Sequence, residues 1–487
     1  MSRQQMSNAD AAWLHMDRPT NLMVITSVMW YDEPLDGARV RELISERLVG
    51  RYERFHQRVV ESSVPLRTPH WEDDPDFDLE RHIHRRALPA PGGDRELQEL
   101  VSELMSTPLD HSKPLWDMYL VDSYRGGSAI VSRMHHCIAD GIALARVMLS
   151  LTDEQPDAGI KAVPPRPSRR RGPARAIAHQ ARGAAGAATH AAGALAHESM
   201  EVLAHPRSEI AHLAGEAARD ARALRKILLM GPDADSVFKG KMHATRRAAW
   251  SRELDLAEIK ELGHASDATV NDVLVTALTG SLRAYLRDRE SLVDQVRAFV
   301  PFNLRPLEEP LPSTLGNDFG LVFLTLPVGI RKTRDRLQAV RAEMDAIKKS
   351  AEGPVAYGVL GLMGLTPLEI EKLAVDMFAA KGSMVVTNVP GPRQPLYFAG
   401  SPVGGVLVWA PMSGSVAMSV SIMSYNGRVT VGVMSDAGLV PDPARIVRGF
   451  ERELGRLRRL YVPDGAAQNG KGARRAPRRS PRAAARR

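Results

Sequence analysis

The sequence predicts a mixed α/β chain built in two halves. Three observations carry that prediction. Strand-like runs alternate with amphipathic stretches of helical period before Leu151, and the alternation returns after Arg246. Between the halves lies a segment of different composition, rich first in proline and arginine, then in alanine. The 487 residues suffice for two or three domains with ample core.

In the first half, Asn8-Ala9-Asp10-Ala11-Ala12-Trp13-Leu14 opens with an Asx cap and an apolar cluster. A β-rich run covers 23–31, an amphipathic helix 37–49, an extended crossing segment 71–81 and a second helix 95–105. Pro114-Leu115-Trp116 precedes a strand over 117–122, and Trp116 reads as a core anchor. Arg125-Gly126-Gly127 turns that strand back onto 128–134 as a hairpin, and 143–151 reads as a helix.

Residues 163–173 hold four prolines and Arg166, Arg169, Arg170 and Arg171, the composition of an exposed linker. Residues 176–229 read as a helical crossover, and a solvated connector is preferred to a membrane-surface helix. The second half opens with a strand near 246–250 and a helix over 255–262. Ser266-Asp267-Ala268-Thr269 leads into a long helix over 270–287, whose first turn carries Asn271 and Asp272. There, free N–H groups and the positive dipole end favour anions. Strands follow over 296–302, 321–328, 383–388, 407–411, 416–425 and 428–435, with helices over 334–348, 367–380 and 444–461. Asn426-Gly427 is the strongest hairpin signal in the chain.

The chemistry concentrates in His135-His136-Cys137-Ile138-Ala139-Asp140-Gly141. This motif sits where a strand ends and the chain turns toward a helix, a usual place for reactive groups. Adjacent residues leaving a strand point to opposite sides, so His135 and His136 do different jobs. One faces a cavity while the other packs or hydrogen-bonds. Asp140 can pin the turn, and Gly141 lets backbone or substrate come close. A neutral imidazole can take the proton from a hydroxyl as its oxygen attacks a carbonyl. The plain alternative is a pair of core or metal-ligating histidines. Metal is disfavoured, because zinc ligands are spaced to converge and adjacent histidines rarely do.

The motif resembles the signature of the acyl-CoA-dependent acyltransferases with the chloramphenicol acetyltransferase type of fold. Pro114-Leu115-Trp116, Asn271-Asp272 and Asn388-Val389-Pro390-Gly391-Pro392 narrow the likeness to the bacterial wax ester synthase/diacylglycerol acyltransferase family. Residues 16–23, with Pro19-Thr20-Asn21, and 71–81, with Phe77-Asp78-Leu79, are also similar to that family. The resemblance spans 8–461 apart from the alanine-rich connector. It implies two chloramphenicol acetyltransferase-like lobes of mixed sheets and helices, joined by the crossover, with an active-site tunnel between them. The expected division is a first lobe over 1–162, linker and connector over 163–245, a second lobe over 246–463 and a basic tail over 464–487.

The resemblance makes His136 the general base, with His135 in support. It places Arg305, after the strand at 296–302, as partner of Asp140, since a buried carboxylate needs one. Gly316-Asn317 resembles the family's Gly-Asn motif at the channel, and the plain alternative is a Gly-flanked turn. Asn271 is a candidate oxyanion donor, while helix-start chemistry explains Asp272 equally well. A rival mechanism would make Cys137 an acyl-thiol nucleophile, but on a strand it points with His135, away from His136.

The implied reaction uses acyl-CoA as co-substrate, without cofactor or metal. The acceptor would be a diacylglycerol or long-chain alcohol, giving triacylglycerol or wax ester. Another lipid acceptor is the alternative within that class, and a non-catalytic lipid-binding protein is the alternative outside it. The net charge of +8 equals the eight Lys or Arg from Ala467 onward, where no acid occurs, so the rest of the chain is neutral. That tail fits a peripheral membrane or lipid-droplet surface; with no interleaved aromatics it does not suggest nucleic acid. A single cysteine excludes an internal disulfide and fits a reducing cytoplasm. Residues 1–10 are polar, without a leader-like apolar run, and no window reaches the ~18 apolar residues of a spanning helix.

Overall fold

Two mixed sheets, one for each half of the chain, frame the molecule. This computed structural model describes residues 3–62, 68–156, 158–159, 225, 229–303, 311–317, 319–348 and 375–462. The first half contributes strands β1 (Arg3–Gln5), β2 (Val24–Tyr31), β3 (Gln57–Val60), β4 (His70–Asp73), β5 (Ile83–Ala87), β6 (Trp116–Tyr124) and β7 (Gly127–His135). Its helices are α1 (Asn8–His15), α2 (Gly37–Ile44), α3 (Asp94–Met105) and α4 (Gly141–Ser150). The second half adds β8 (Arg246–Trp250), β9 (Leu254–Asp255), β10 (Val296–Asn303), β11 (Phe319–Leu326), β12 (Met384–Pro390), β13 (Tyr397–Phe398), β14 (Ser401–Trp409), β15 (Met418–Tyr425) and β16 (Arg428–Asp436). Helices α5 (Leu256–Ala265), α6 (Val270–Arg287), α7 (Thr333–Lys348) and α8 (Pro443–Tyr461) complete it.

Both predicted hairpins form, and their turns show why. Arg125 and Gly126 adopt φ 51° and 86°, and Asn426 and Gly427 adopt 45° and 75°. Two consecutive positive φ values match the right-handed twist of the flanking strands. Tyr124 therefore pairs with Gly127, and Tyr425 with Arg428.

The first sheet runs β13-β14-β2-β7-β6-β5, and the second β11-β10-β12-β15-β16-β8, with β9 also on β16. Strands β2 and β7 are buried along their whole length, as expected of central strands covered on both faces. Parallel pairs (β5 with β6, β12 with β10 and β15) and antiparallel ones make each sheet mixed.

The strand predicted over 407–411 runs instead from Ser401 to Trp409, and it pairs antiparallel with β2 in the first half's sheet. Gly405 permits this, because a Cβ there would lie 2.1 Å from the Trp30 ring. Trp409 is fully buried, its ring 6.0 Å from that of Trp250 in the second sheet. Two apolar clusters result, one around Trp71, Trp116 and Trp409, the other around Val273, Leu278 and Phe450. Trp116 is indeed an anchor: its Nε1 donates to the Phe55 carbonyl at 2.9 Å, and its ring stacks on His82.

Strands β1, β3, β5 and β13 had no clear sequence signal. Strand β5 buries only Ile83, and its His-Arg-Arg run reads as solvated loop. Most of the predicted connector, the helix start at 367–374 and the basic tail lie outside the described residues.

Candidate active site

Helix α1, the approach to β2 and residues 316–317 of the second half converge on the end of β7. The predicted cap of α1 is shifted by one residue: Ser7, not Asn8, accepts the Asp10 N–H. Asp10 and Trp13, three positions apart, lie on one face of α1. The His136 N–H donates to the Met23 carbonyl at 2.7 Å, which extends the β2–β7 ladder past its last pair, Val24 and His135. From the second half, the Gly316 N–H donates to Ile138 O at 3.2 Å. Asn317 Nδ2 donates to the His136 carbonyl at 2.8 Å and to Asp10 Oδ1 at 2.7 Å. Asp10 Oδ1 also accepts the Asn317 N–H at 3.2 Å. Burial raises the Asp10 carboxyl against the opposing pull of the Ser7 and Asn317 bonds.

The His136 ring is stacked on Trp13, centroids 4.0 Å apart at 21°, with Phe319 5.5 Å away. Among the described residues, its buried Nδ1 has no hydrogen-bond partner, and neither has Trp13 Nε1. Burial lowers the imidazole pKa to about 3, outweighing the favourable pull of its own carbonyl and of Asn317. At neutral pH His136 is therefore unprotonated, the form a base requires.

His135 points elsewhere. Its Nδ1 accepts the Cys137 N–H at 3.1 Å, and its Nε2 faces Asp17 Oδ2 at 3.7 Å. His111 Nε2 approaches the same oxygen at 3.3 Å. Burial lowers the His135 pKa although Asp17 opposes this. Burial would raise the Asp17 carboxyl, but the His111 bond, the pull of nearby His135 and the Met23 bond prevail and hold it well below the usual range. Ligand-type atoms of Asp17, His111 and His135 lie within 4.8 Å of one another. Yet Nδ1 of His135 already accepts a backbone N–H, so Nε2 carries the proton and has no lone pair for a cation. The cluster is a hydrogen-bonding one.

Asp140 caps α4, its Oδ1 accepting the Ala143 N–H at 2.8 Å. A Cβ on Gly141 would meet only Ile25 Cδ1 at 3.9 Å, which leaves open room beside the motif. Arg305, the expected partner of Asp140, lies outside the described residues. Asp272 forms a capping box with Thr269: it donates its N–H to Thr269 Oγ1 at 3.1 Å and accepts the Thr269 N–H at 2.8 Å. Asn271 Oδ1 accepts from Asn388 Nδ2 at 2.7 Å, joining two segments singled out in the sequence. Among the described residues, no hydrogen bond links Asn271 to His136. The Cys137 thiol is fully buried, and burial pushes it far up, so it is no ready nucleophile.

A family model described as the wax ester synthase/diacylglycerol acyltransferase catalytic domain matches residues 6–274. The chain belongs to this family. The model for the family's C-terminal domain matches residues 315–458. The chain is 30% identical over 413 residues to the probable diacylglycerol O-acyltransferase tgs1 of Mycobacterium tuberculosis, covering 83% of this chain and 84% of that one. It is 29% identical over 443 residues to the probable diacylglycerol O-acyltransferase tgs2 of the same species, covering 87% and 92%. The fold is that of the wax ester synthase/diacylglycerol acyltransferase from Marinobacter aquaeolei VT8, with TM-score 0.67, 21% identity and coverage of 94% and 99%. The first condensation domain of the calcium-dependent antibiotic synthetase shares it too, with TM-score 0.60, 16% identity and coverage of 95% and 97%.

The protein is thus an acyltransferase of the wax ester synthase/diacylglycerol acyltransferase family, with the two-lobed α/β fold expected of it. No helix among its described residues is long and apolar enough to cross a membrane. Sequence reasoning did not single out Asp10, Asp17, His111 or Phe319. Asp17 lies in the family-like segment 16–23 but carries no signal of its own there, nor does His111 in its loop, and only the tertiary fold joins them. Asp10 and Trp13 at helical spacing gave the one available signal.

Proposed function

We propose that the protein transfers an acyl group from acyl-CoA to the hydroxyl of a diacylglycerol or long-chain alcohol, with His136 as general base. The observation that carries this reading is the state of His136: neutral, enclosed by Trp13 and Phe319, with its backbone held at both the N–H and the carbonyl. Since Nδ1 is sealed, Nε2 takes the alcohol proton as the oxygen attacks the thioester carbonyl. The C–S bond then breaks, and the imidazolium returns its proton to the leaving thiolate. A pKa near 3 reflects apolar surroundings, and polar substrate groups against the ring raise it toward the working range. Asp140 and Gly141 shape the turn, Asp140 with Arg305 as partner. Asn317 holds the turn in register. Asn271 serves the tetrahedral oxyanion through its amide N–H, its carbonyl oxygen being taken by Asn388.

The test is acyl transfer from radiolabelled palmitoyl-CoA with hexadecanol and diolein offered separately, comparing wild type with His136→Ala. Ester from wild type alone is the expected result, and the preferred acceptor names the reaction. Equal ester from both proteins would remove His136 as base.

The basic residues after Ala467 suit attraction to an anionic membrane or lipid-droplet surface on the cytoplasmic side, at ~1 kcal/mol each near such a surface. Truncation after Asp464 is expected to release the protein from anionic vesicles, as is high salt. Unchanged retention would count against this role.

A further inference from the structure

We infer that Asp17 is a positioning residue for the reaction, because its single carboxylate fixes the main chain on both sides of His136. The inference rests on His136 being the base. One arm runs through Met23. Asp17 Oδ1 accepts the Met23 N–H at 2.6 Å, and the Met23 carbonyl accepts the His136 N–H at 2.7 Å. The other arm runs through His135. Asp17 Oδ2 faces the protonated Nε2 at 3.7 Å, and this tautomer leaves Nδ1 to accept the Cys137 N–H at 3.1 Å. The amide nitrogens of residues 136 and 137 flank the His136 Cα. Fixing both sets the direction in which the imidazole leaves the backbone, between Trp13 and Phe319.

The residue type follows from the partners. Three N–H groups are directed at Asp17: the Met23 N–H and the half-exposed His111 Nε2 hydrogen-bond to it at 2.6 and 3.3 Å, and His135 Nε2–H faces it at 3.7 Å, beyond hydrogen-bond length, as an electrostatic contact. Only a carboxylate turns an oxygen and negative charge toward all three. An asparagine would keep one acceptor for Met23 and turn an NH2 toward the histidine donors. It should therefore preserve one arm and spoil the other, whereas alanine removes both. Outer partners of this kind orient a reacting group without touching substrate, and small misplacements of the reacting atom are expensive in rate.

The experiment measures kcat and KM with palmitoyl-CoA and the better of hexadecanol or diolein for wild type, Asp17→Asn, Asp17→Ala and His136→Ala. Rates are expressed per folded molecule from thermal melts. We expect kcat to fall about 10-fold in Asp17→Asn and about 100-fold in Asp17→Ala, with KM for palmitoyl-CoA within about two-fold of wild type. The partial rescue by asparagine and the loss confined to kcat are what general destabilisation would not produce. Wild-type kcat in Asp17→Asn, or a rise in KM alone, overturns the inference. If Asp17→Ala does not fold, Asp17→Asn decides. His136→Ala separates the two readings. Turnover without His136 removes the base assignment, whereas an inactive His136→Ala beside a fully active Asp17→Asn removes the role of Asp17 alone.

Discussion

The loop around His136 and the start of helix α6 carried comparable sequence signals, yet they are built in opposite ways. At the loop, the contacts that enclose and hold His136 are long-range. Met23, Asn317, Trp13 and Phe319 come from other elements, and Asn317 reaches His136 across 181 positions of chain. At the helix start, the main bonds are local, between Thr269 and Asp272, three residues apart. The Asn271–Asn388 bond reaches outward from the first turn. A local capping box forms in nearly any protein, so it says little about chemistry. A buried imidazole held by distant partners costs folding energy and needs a reason.

The largest effect that could break this contrast comes from Asn271→Ala. If the helix start supplies the oxyanion donor, kcat should drop by roughly 10²–10³ with the melting temperature nearly unchanged. A wild-type rate would reduce that region to helix capping. Asn317→Ala should act on both levels, since it strips a donor from the Asp10 carboxylate and from the His136 carbonyl. A loss of about 1–3 kcal/mol in urea unfolding is expected, with a kcat about 10-fold lower. Thr269→Ala sharpens the local side: about 1 kcal/mol of stability lost and kcat per folded molecule unchanged. The smallest effect concerns acid. Asp17 has a depressed folded pKa, so its stabilisation is complete above the unfolded value of about 3.9 and fades as pH falls through the folded value. The difference in stability between wild type and Asp17→Asn should therefore be largest between about pH 4 and 6, falling as pH rises through the pKa of His111, which Asp17 raises, and shrinking again below about pH 4 in acid melts.

The same contrast explains what the sequence disclosed. Strands β2 and β7 and both hairpins were legible because their signals, buried runs and positive-φ turn residues, are local. His135 and His136 were legible as a pair with divided roles because strand geometry separates neighbours. Their surroundings were not, since nothing local ties Asp17 to His111 or Asp10 to Asn317. The membership of β14 in the first sheet escaped for a related reason: a strand's pattern tells which residues are buried, not which neighbour it takes.

That borrowed strand has a consequence during synthesis. Until Trp409 has left the ribosome, β2 presents a bare, mostly apolar edge whose backbone groups await a partner. At elongation speeds of about 5–20 residues per second, the gap between completing β7 and completing β14 is roughly 15–50 s. The nascent first half would spend that interval open to mispairing, and a fragment ending before β14 would carry the same sticky border permanently. Such fragments should gather into aggregates unless a chaperone, or a supplied peptide spanning residues 401–409, closes the edge.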